Sequence, residues 1–380
     1  MTQIIMDSGL RTQDSGLRTQ DSGLRTQDSG LRTQDSGLDS LFDSSQLKAY
    51  SGYFKDRAKL LQSSSGGGAT ALSEAVIREG GVVFGACYSK DFRSAEFACI
   101  ESISDLRRLK GSKYIPTEKK VFHDGEYKTL WPFVAEKLAS GKQVLFTGLG
   151  CDVAALKSYM AVNNVDTSNL YTADLICYGP APLEVHTQYM DTLEQRYKSR
   201  LTSFTVRHKK DGWTPPYILA EFEDGRKFCT NFYGSDYGMA FGKYTRESCY
   251  NCRFKGANHQ SDVTLGDFWG LTRDMAGWNP DGVSIFIVKT ERGEKLMRKI
   301  DSLEFELSPA DVRFAIEHNT MYYKSRKKPE DYGKFCADLK TLGLHRAIVN
   351  RIGKVRYFAR HVRKFIPRPV VRLLKAILRR

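Results

Sequence analysis

The 380-residue sequence has no apolar run approaching the ~18–20 residues needed to cross a bilayer, and its N-terminus carries no apolar signal core. The expected compartment is the cytoplasm, where thiols stay reduced. No second C-x2-C and no histidine pair accompanies Cys249 and Cys252, so the common paired zinc pattern is missing. Acidic residues are absent from Leu339 to Arg380, a stretch with thirteen Lys or Arg. That stretch carries nearly all of the +14 net charge and leaves about +1 for the other 338 residues. A nearly neutral body argues against a nucleic-acid-binding surface, which only the tail would supply, with a steep salt dependence.

What is present is an ordinary globular composition, 41% hydrophobic and 12% aromatic, long enough for more than one core. Residues Asp7 to Gln34 are different: four copies of Asp-Ser-Gly-Leu-Arg-Thr-Gln, with a fifth begun at Asp35. One Leu and one Gly in every seven residues make neither a good helix nor a two-position apolar seam, so this segment is expected to be disordered. The codons GAC TCA GGA CTC AGG ACT CAG spell the heptapeptide and are also GACTCAG three times over. The hypothesis is a translated tandem nucleotide repeat; unrelated synonymous codons in successive copies of the gene would end it.

Order is expected from about Gln46. The Gln62–Gly68 run precedes Ala69 to Arg78, where Leu72, Ala75 and Val76 recur at helical spacing, and Val82 to Gly85 reads as a buried strand. A Ser/Gly loop opening a helix offers free N–H groups and a favourable dipole to an anion; a plain linker with an N-cap fits equally. Gln143 to Thr147 predicts a strand, Gly148-Leu149-Gly150 a tight turn, and Cys151 a helix start where a thiol would have a depressed pKa. Tyr171 to Cys177 predicts another strand, which puts Cys177 at a carboxyl end where ligand crevices form. After a flexible Gly238–Glu247 segment, Cys249-Tyr250-Asn251-Cys252 can present two thiolates to zinc, a cluster or a redox disulfide. Asp224-Gly225 predicts a hairpin, Asp262 to Gly270 a strand with an acidic-aromatic end, and Val283 to Val288 a buried strand. Trp269 is read as a core residue or a ring-stacking one, and His259 as a surface-loop residue or a proton donor. Cys87, Cys99, Cys229 and Cys336 read as plain thiols.

Seven stretches in order, SSSGG, GGVVFGA, KGSKY, TGLGC, DLICYG, SCYNC and DVTLGDFWG, resemble the coenzyme F420 hydrogenase/dehydrogenase beta subunit family. The resemblance implies an α/β (mixed α+β) body whose flavin-binding sheet is flanked by helices. It implies that Cys151, Cys177, Cys249 and Cys252 hold a [4Fe–4S] cluster. It also implies that Ser64, Ser65, Gly66, Gly67, Lys113 and Gly148 help bind FAD or another flavin, with coenzyme F420 as a further acceptor. The partner would be a ferredoxin-like or other iron–sulfur electron-transfer protein. Departures occur: no cysteine precedes Cys87 where many relatives carry a ferredoxin-like leader, and Gly150, Asp152 and Tyr178 stand where relatives often have Pro, Gln and His. The expected divisions are the repeat (1–45), a flavin-binding part (46–160), a part bearing the C-x2-C loop (161–330) and a basic amphipathic helical tail (331–380).

A flavin handles electrons in pairs or singly and a cluster singly, so the two together convert between these modes. The competing reading is a zinc- or cluster-stabilised, non-catalytic interaction protein of a membrane-associated assembly. In the tail, Ile348, Val349, Ile352, Val355 and Phe358 recur among basic residues, and Val370–Leu378 repeats the pattern. Residues 344–380 therefore read either as a peripheral contact for an anionic membrane or as a helix docked on the body.

Overall fold

Val82-Val83-Phe84 and Val144-Leu145-Phe146 are apolar at every position, as strands buried on both faces must be. Their side chains alternate between two cores: Val83 and Leu145 enter one, while Val82, Phe84, Val144 and Phe146 enter the other. The computed structural model describes residues 47–354 and Tyr357, all within one compact unit.

In chain order the described strands are β1 (Lys48–Phe54), β2 (Val82–Tyr88), β3 (Ala95–Ile100), β4 (Thr117–His123), β5 (Glu126–Thr129), β6 (Val144–Leu149), β7 (Leu170–Leu175), β8 (Leu201–His208), β9 (Tyr217–Phe222), β10 (Lys227–Asn231), β11 (Val263–Asp267), β12 (Ser284–Val288) and β13 (Phe305–Ala310). The main sheet runs β13-β1-β12-β11-β7-β6-β2-β3-β4-β5, and β10-β9-β8 form a second, antiparallel sheet. The centre, β11-β7-β6-β2, is parallel, and β12, β1 and β13 extend it antiparallel. One sheet thus passes through both parts of the expected body.

Helices Gly68–Arg78 and Glu291–Arg298 cover one face through Leu72, Val76, Leu296 and Met297. Leu130–Ala139 and Gly150–Val162 cover the other through Phe133, Val134, Val153, Leu156 and Met160. This is the expected mixed α/β architecture. A third core joins the small sheet to helix Leu183–Tyr197 and to three further helices, Asp236–Phe241, Tyr332–Leu342 and Leu344–Ile352.

Two expectations change. The Gly238–Glu247 segment begins inside a buried helix, where a Cβ on Gly238 would lie 1.9 Å from the Phe232 carbonyl oxygen. Gly238 and Gly242 suggested flexibility, but Tyr237, Met239 and Phe241 are core residues that fix the segment. In the tail, Phe335, Leu339, Leu344, Ala347 and Ile348 are buried against the body, so up to Ile352 the apolar face is already covered. The repeat and the tail beyond Tyr357 lie outside the described residues. No described helix is long and apolar enough to cross a membrane.

Candidate redox site

β6 ends at Leu149 and helix Gly150–Val162 begins at once. Asp152 sets this start: its Oδ2 accepts the Leu149 N–H at 3.0 Å, and its Oδ1 lies 2.6 Å from Lys119 Nζ. β7 ends at Leu175, the register partner of Leu149, so Cys151 and Cys177 each stand two residues beyond matched positions on neighbouring parallel strands. The crevice expected at those carboxyl ends is where both thiols lie.

The C-x2-C turn is brought to the same place by backbone bonds. The Arg246 N–H donates to the Pro180 carbonyl at 2.8 Å, and the Cys252 N–H donates to Ser325 Oγ at 3.1 Å. Buried Tyr250 anchors the turn through its hydroxyl, which accepts the Thr245 N–H at 3.0 Å. Gly179 sits between the two cysteine segments at φ +94°, and a Cβ there would come 3.1 Å from that of Cys249. Its N–H also points at Cys177 Sγ, 3.3 Å away. Only glycine meets both demands.

All four predicted cysteines line one cavity, walled by Leu149, Leu175, Tyr178, Phe254 and Met321. Its charged lining residues are Arg246, Lys255 and Arg326, with no carboxylate among them. Among the described residues no three His, Cys, Asp or Glu side chains crowd closely enough to chelate one ion. A four-iron cluster gives each thiolate its own iron, whereas one zinc needs donors about 2.3 Å from a single point. Four cysteines lining one cavity whose charged lining residues are all cations are a donor set whose chemistry fits the cluster.

Cys151 does not have the depressed pKa expected at a helix start. Burial, then Asp152 and Cys177, push its thiol up to about 12, against Lys119 and Arg246. The helix terminus is a local signal, and the tertiary desolvation outweighs it. Burial likewise raises Cys177 to about 11. Metal binding would displace these protons. Of the remaining cysteines, Cys87 and Cys99 are buried, Cys336 is half-buried and Cys229 is exposed, all as free thiols.

Directly behind the cavity lies a pair not foreseen in the sequence. His259 is buried, not a surface-loop residue: its Nδ1 is 2.6 Å from Asp174 Oδ2 and its ring stacks on Tyr322. Ser261 Oγ donates to the other Asp174 oxygen at 2.8 Å. A Cβ on Gly150 would lie 3.2 Å from the same Asp174 Oδ2, so this pair is packed under the helix start.

The predicted flavin segments also meet each other. Ser112 Oγ donates to Ser64 Oγ at 3.2 Å, and Lys110 Nζ donates to Gln62 Oε1 at 2.7 Å, joining KGSKY to the Ser/Gly loop. Among the described residues the N–H groups of Ser64, Ser65, Gly66 and Gly67 have no acceptor, while that of Gly68 donates to Ser284 Oγ at 3.0 Å. Two cations that no sequence motif singled out hold the loop: Arg207 donates to Ser64 O at 2.8 Å and Lys209 to Ser65 O at 2.6 Å. Arg207 also grips Asp267 with two bonds, at 3.0 and 2.9 Å. Free N–H groups within a cationic frame fit an anionic group such as a flavin's pyrophosphate.

Gly66 and Gly67 have packing reasons as well, since a Cβ on Gly66 would lie 2.1 Å from Gly52 O and Gly67 has φ +93°. Lys113 is neither a surface lysine nor a free cation. Its ammonium donates to the carbonyls of Leu109 at 2.8 Å and Lys110 at 2.9 Å, and burial pulls its pKa down to about 8. Gly148 is buried beside Asp152 and Phe146, its nearest neighbours. Trp269, half exposed, stacks on Trp213 at 4.7 Å.

Residues 141–312 match the family that covers the C-terminal part of the coenzyme F420 hydrogenase/dehydrogenase beta subunit. No curated protein matches the chain. Among solved structures, a chain of the F420-reducing [NiFe] hydrogenase complex from Methanosarcina barkeri, studied by xenon derivatization, is 18% identical, with a TM-score of 0.48 over 78% of this chain and 94% of that one. Four of the sequence motifs, TGLGC, DLICYG, SCYNC and DVTLGDFWG, lie inside the matched region, so residues 141–312 resemble the C-terminal part of that family.

Proposed function

We propose that this protein is an electron-transfer oxidoreductase in which Cys151, Cys177, Cys249 and Cys252 hold a [4Fe–4S] cluster near a flavin. The single observation supporting it is the convergence of four thiols, from three separated stretches of chain, on one cavity without carboxylates. When bound, such a cluster supplies one-electron transfer, and the flavin supplies exchange between one- and two-electron chemistry. The chain's own part is to hold four thiolates apart, to exclude water with Phe254, Met321 and Leu149, and to keep cations beside them. Ser64, Ser65, Gly66, Gly67 and Gly148, with Arg207, Lys209 and Lys113 around the loop, are the residues proposed for the flavin; a deazaflavin such as coenzyme F420 is the acceptor class the family name suggests.

The partner class is an acidic, ferredoxin-like carrier. Arg246, Arg253, Lys324 and Lys327 lie on or beside the segments lining the cavity, are exposed, and pair with no carboxylate among the described residues. Complementary charge of this kind speeds encounter.

The test is a set of serine variants purified without oxygen. C177S and C252S are expected to lose most of their iron, while C229S and C336S keep it. Equal iron in all four, or none in the parent, contradicts the proposal.

A further inference from the structure

Lys255 follows Cys252 by three residues and turns inward. Its ammonium donates to the carbonyl of Cys177 at 2.5 Å and to that of Met321 at 2.5 Å. It therefore ties the β7 loop to the segment that, through Ser325, also holds Cys252. Both acceptors are neutral, and among the described residues no carboxylate forms an ion pair with this lysine. Of the other cations of the cavity, Arg326 is bonded to carbonyls outside it, those of Phe241 and Gly242, and lies over the Tyr178 ring, while Arg246 is exposed and bonded to Ser248. Burial lowers the Lys255 pKa; the acidic groups that oppose this are, in order, Cys177, Cys252 and Cys249, and last the Asp174 carboxylate, which is itself bonded to His259 and Ser261.

A substantially buried cation without a counter-ion is costly unless negative charge faces it. Asp174 is committed to His259 and Ser261, and the cysteine cavity is where further negative charge facing this lysine can sit. We infer that Lys255 is the fixed counter-ion of the cysteine cavity, a positioning residue that holds Cys177 in place and raises the reduction potential of a centre bound there. This rests on the proposed cluster, and it adds the residue that sets how readily an electron enters. One electron arriving from a ferredoxin-class carrier makes the cavity one charge more negative. No bond forms and no proton moves; the lysine's charge meets the added one.

The experiment uses the full chain, purified without oxygen, as parent, Lys255→Met, Lys255→Gln and Lys255→Arg, with iron analysis followed by a potentiometric titration read by electron paramagnetic resonance. Loss of the charge is expected to lower the reduction equilibrium constant about tenfold, which for a one-electron couple is about 59 mV. Lys255→Arg should return to within threefold of the parent. A purely structural tie would change iron content or stability and leave the potential alone. Lys255→Gln keeps an N–H donor, so if Lys255→Met fails to hold iron, the glutamine variant carries the same expectation. Parent-like potential in an iron-loaded neutral variant, or loss of iron in both neutral variants while Lys255→Arg departs from the parent potential, overturns the inference alone. A parent without iron overturns the proposed function together with it.

Discussion

His259 Nδ1 lies 2.6 Å from Asp174 Oδ2, and neither side chain reaches solvent. Asp174 is at the end of β7, three residues before Cys177, and its carboxylate packs under Gly150, next to Cys151. The pair is thus a foundation for two cysteine-bearing segments at once. Burial pushes the Asp174 carboxyl up, but the hydrogen bond and charge of His259 prevail and hold it below its ordinary 3.8. A depressed folded-state pKa contributes stability that is complete above the ordinary carboxylate value and is lost as pH falls through the folded-state value.

Asp174→Asn is therefore expected to lose about 3–5 kcal/mol of unfolding free energy at pH 7, the range for breaking one side of a buried pair. The gap to the parent should narrow as pH drops below ~3.9. Urea unfolding at pH 7 and pH 3.5 checks both; an equal gap at the two pH values contradicts the assignment of charge.

Gly179→Ala places a methyl group 3.1 Å from the Cys249 Cβ at a positive φ. The methyl also comes 3.1 Å from buried Thr245, so the expected result is a folded protein of lower stability with at most half the parent's iron, since the clash presses on the separation of the two cysteine segments. Circular dichroism and iron content measured on one sample decide it. Unchanged iron would show that the segments tolerate the displacement.

Arg207 and Asp267 form a two-bond pair whose side chains are only 10% and 15% exposed. Arg207→Met leaves the Ser64 carbonyl without a donor and Asp267 with only the Trp213 Nε1–H bond at 3.2 Å, for an expected loss of about 3–5 kcal/mol. Arg207→Lys should recover little of it, since an ammonium cannot reproduce the planar fork. Flavin content should fall in both variants as the Ser64–Ser65 loop loosens. Thermal unfolding with a flavin assay of the released cofactor is the check; retained flavin in an unstable variant would separate the loop from the cofactor.

Arg253→Glu together with Lys327→Glu should slow electron uptake from an acidic bacterial ferredoxin by about tenfold at low salt, with the difference vanishing near ~1 M salt, where screening is short-ranged. Stopped-flow rates across a salt series measure this. A salt-independent difference would point to a local structural effect.

The sequence was readable where the signal was local. The parallel centre of the sheet follows from Val82–Phe84 and Val144–Phe146, apolar at every position, and the placement of Cys151 and Cys177 follows from their strand ends. The hairpin between β9 and β10 was set by Asp224-Gly225. What stayed hidden depends on distant partners. Lys255 looked like any lysine after a C-x2-C turn, and its role needs Cys177 and Met321, 78 and 66 residues away. Arg207 reads as an ordinary residue of an alternating strand until Asp267 faces it. His259 looked like a loop residue because its loop is covered by Tyr322, from a segment with no sequence link to it. The Cys151 pKa was misread for the same reason, since desolvation is a property of the assembled site.

The most direct measurement is iron, acid-labile sulfide and zinc analysis of the full chain purified without oxygen, with a paramagnetic resonance spectrum after dithionite. A four-thiolate cluster site predicts about four irons and four sulfides per chain and a spectrum that appears on reduction. A colourless protein holding one zinc, or four thiols that alkylate freely in a folded chain reconstituted with iron and sulfide, would contradict it.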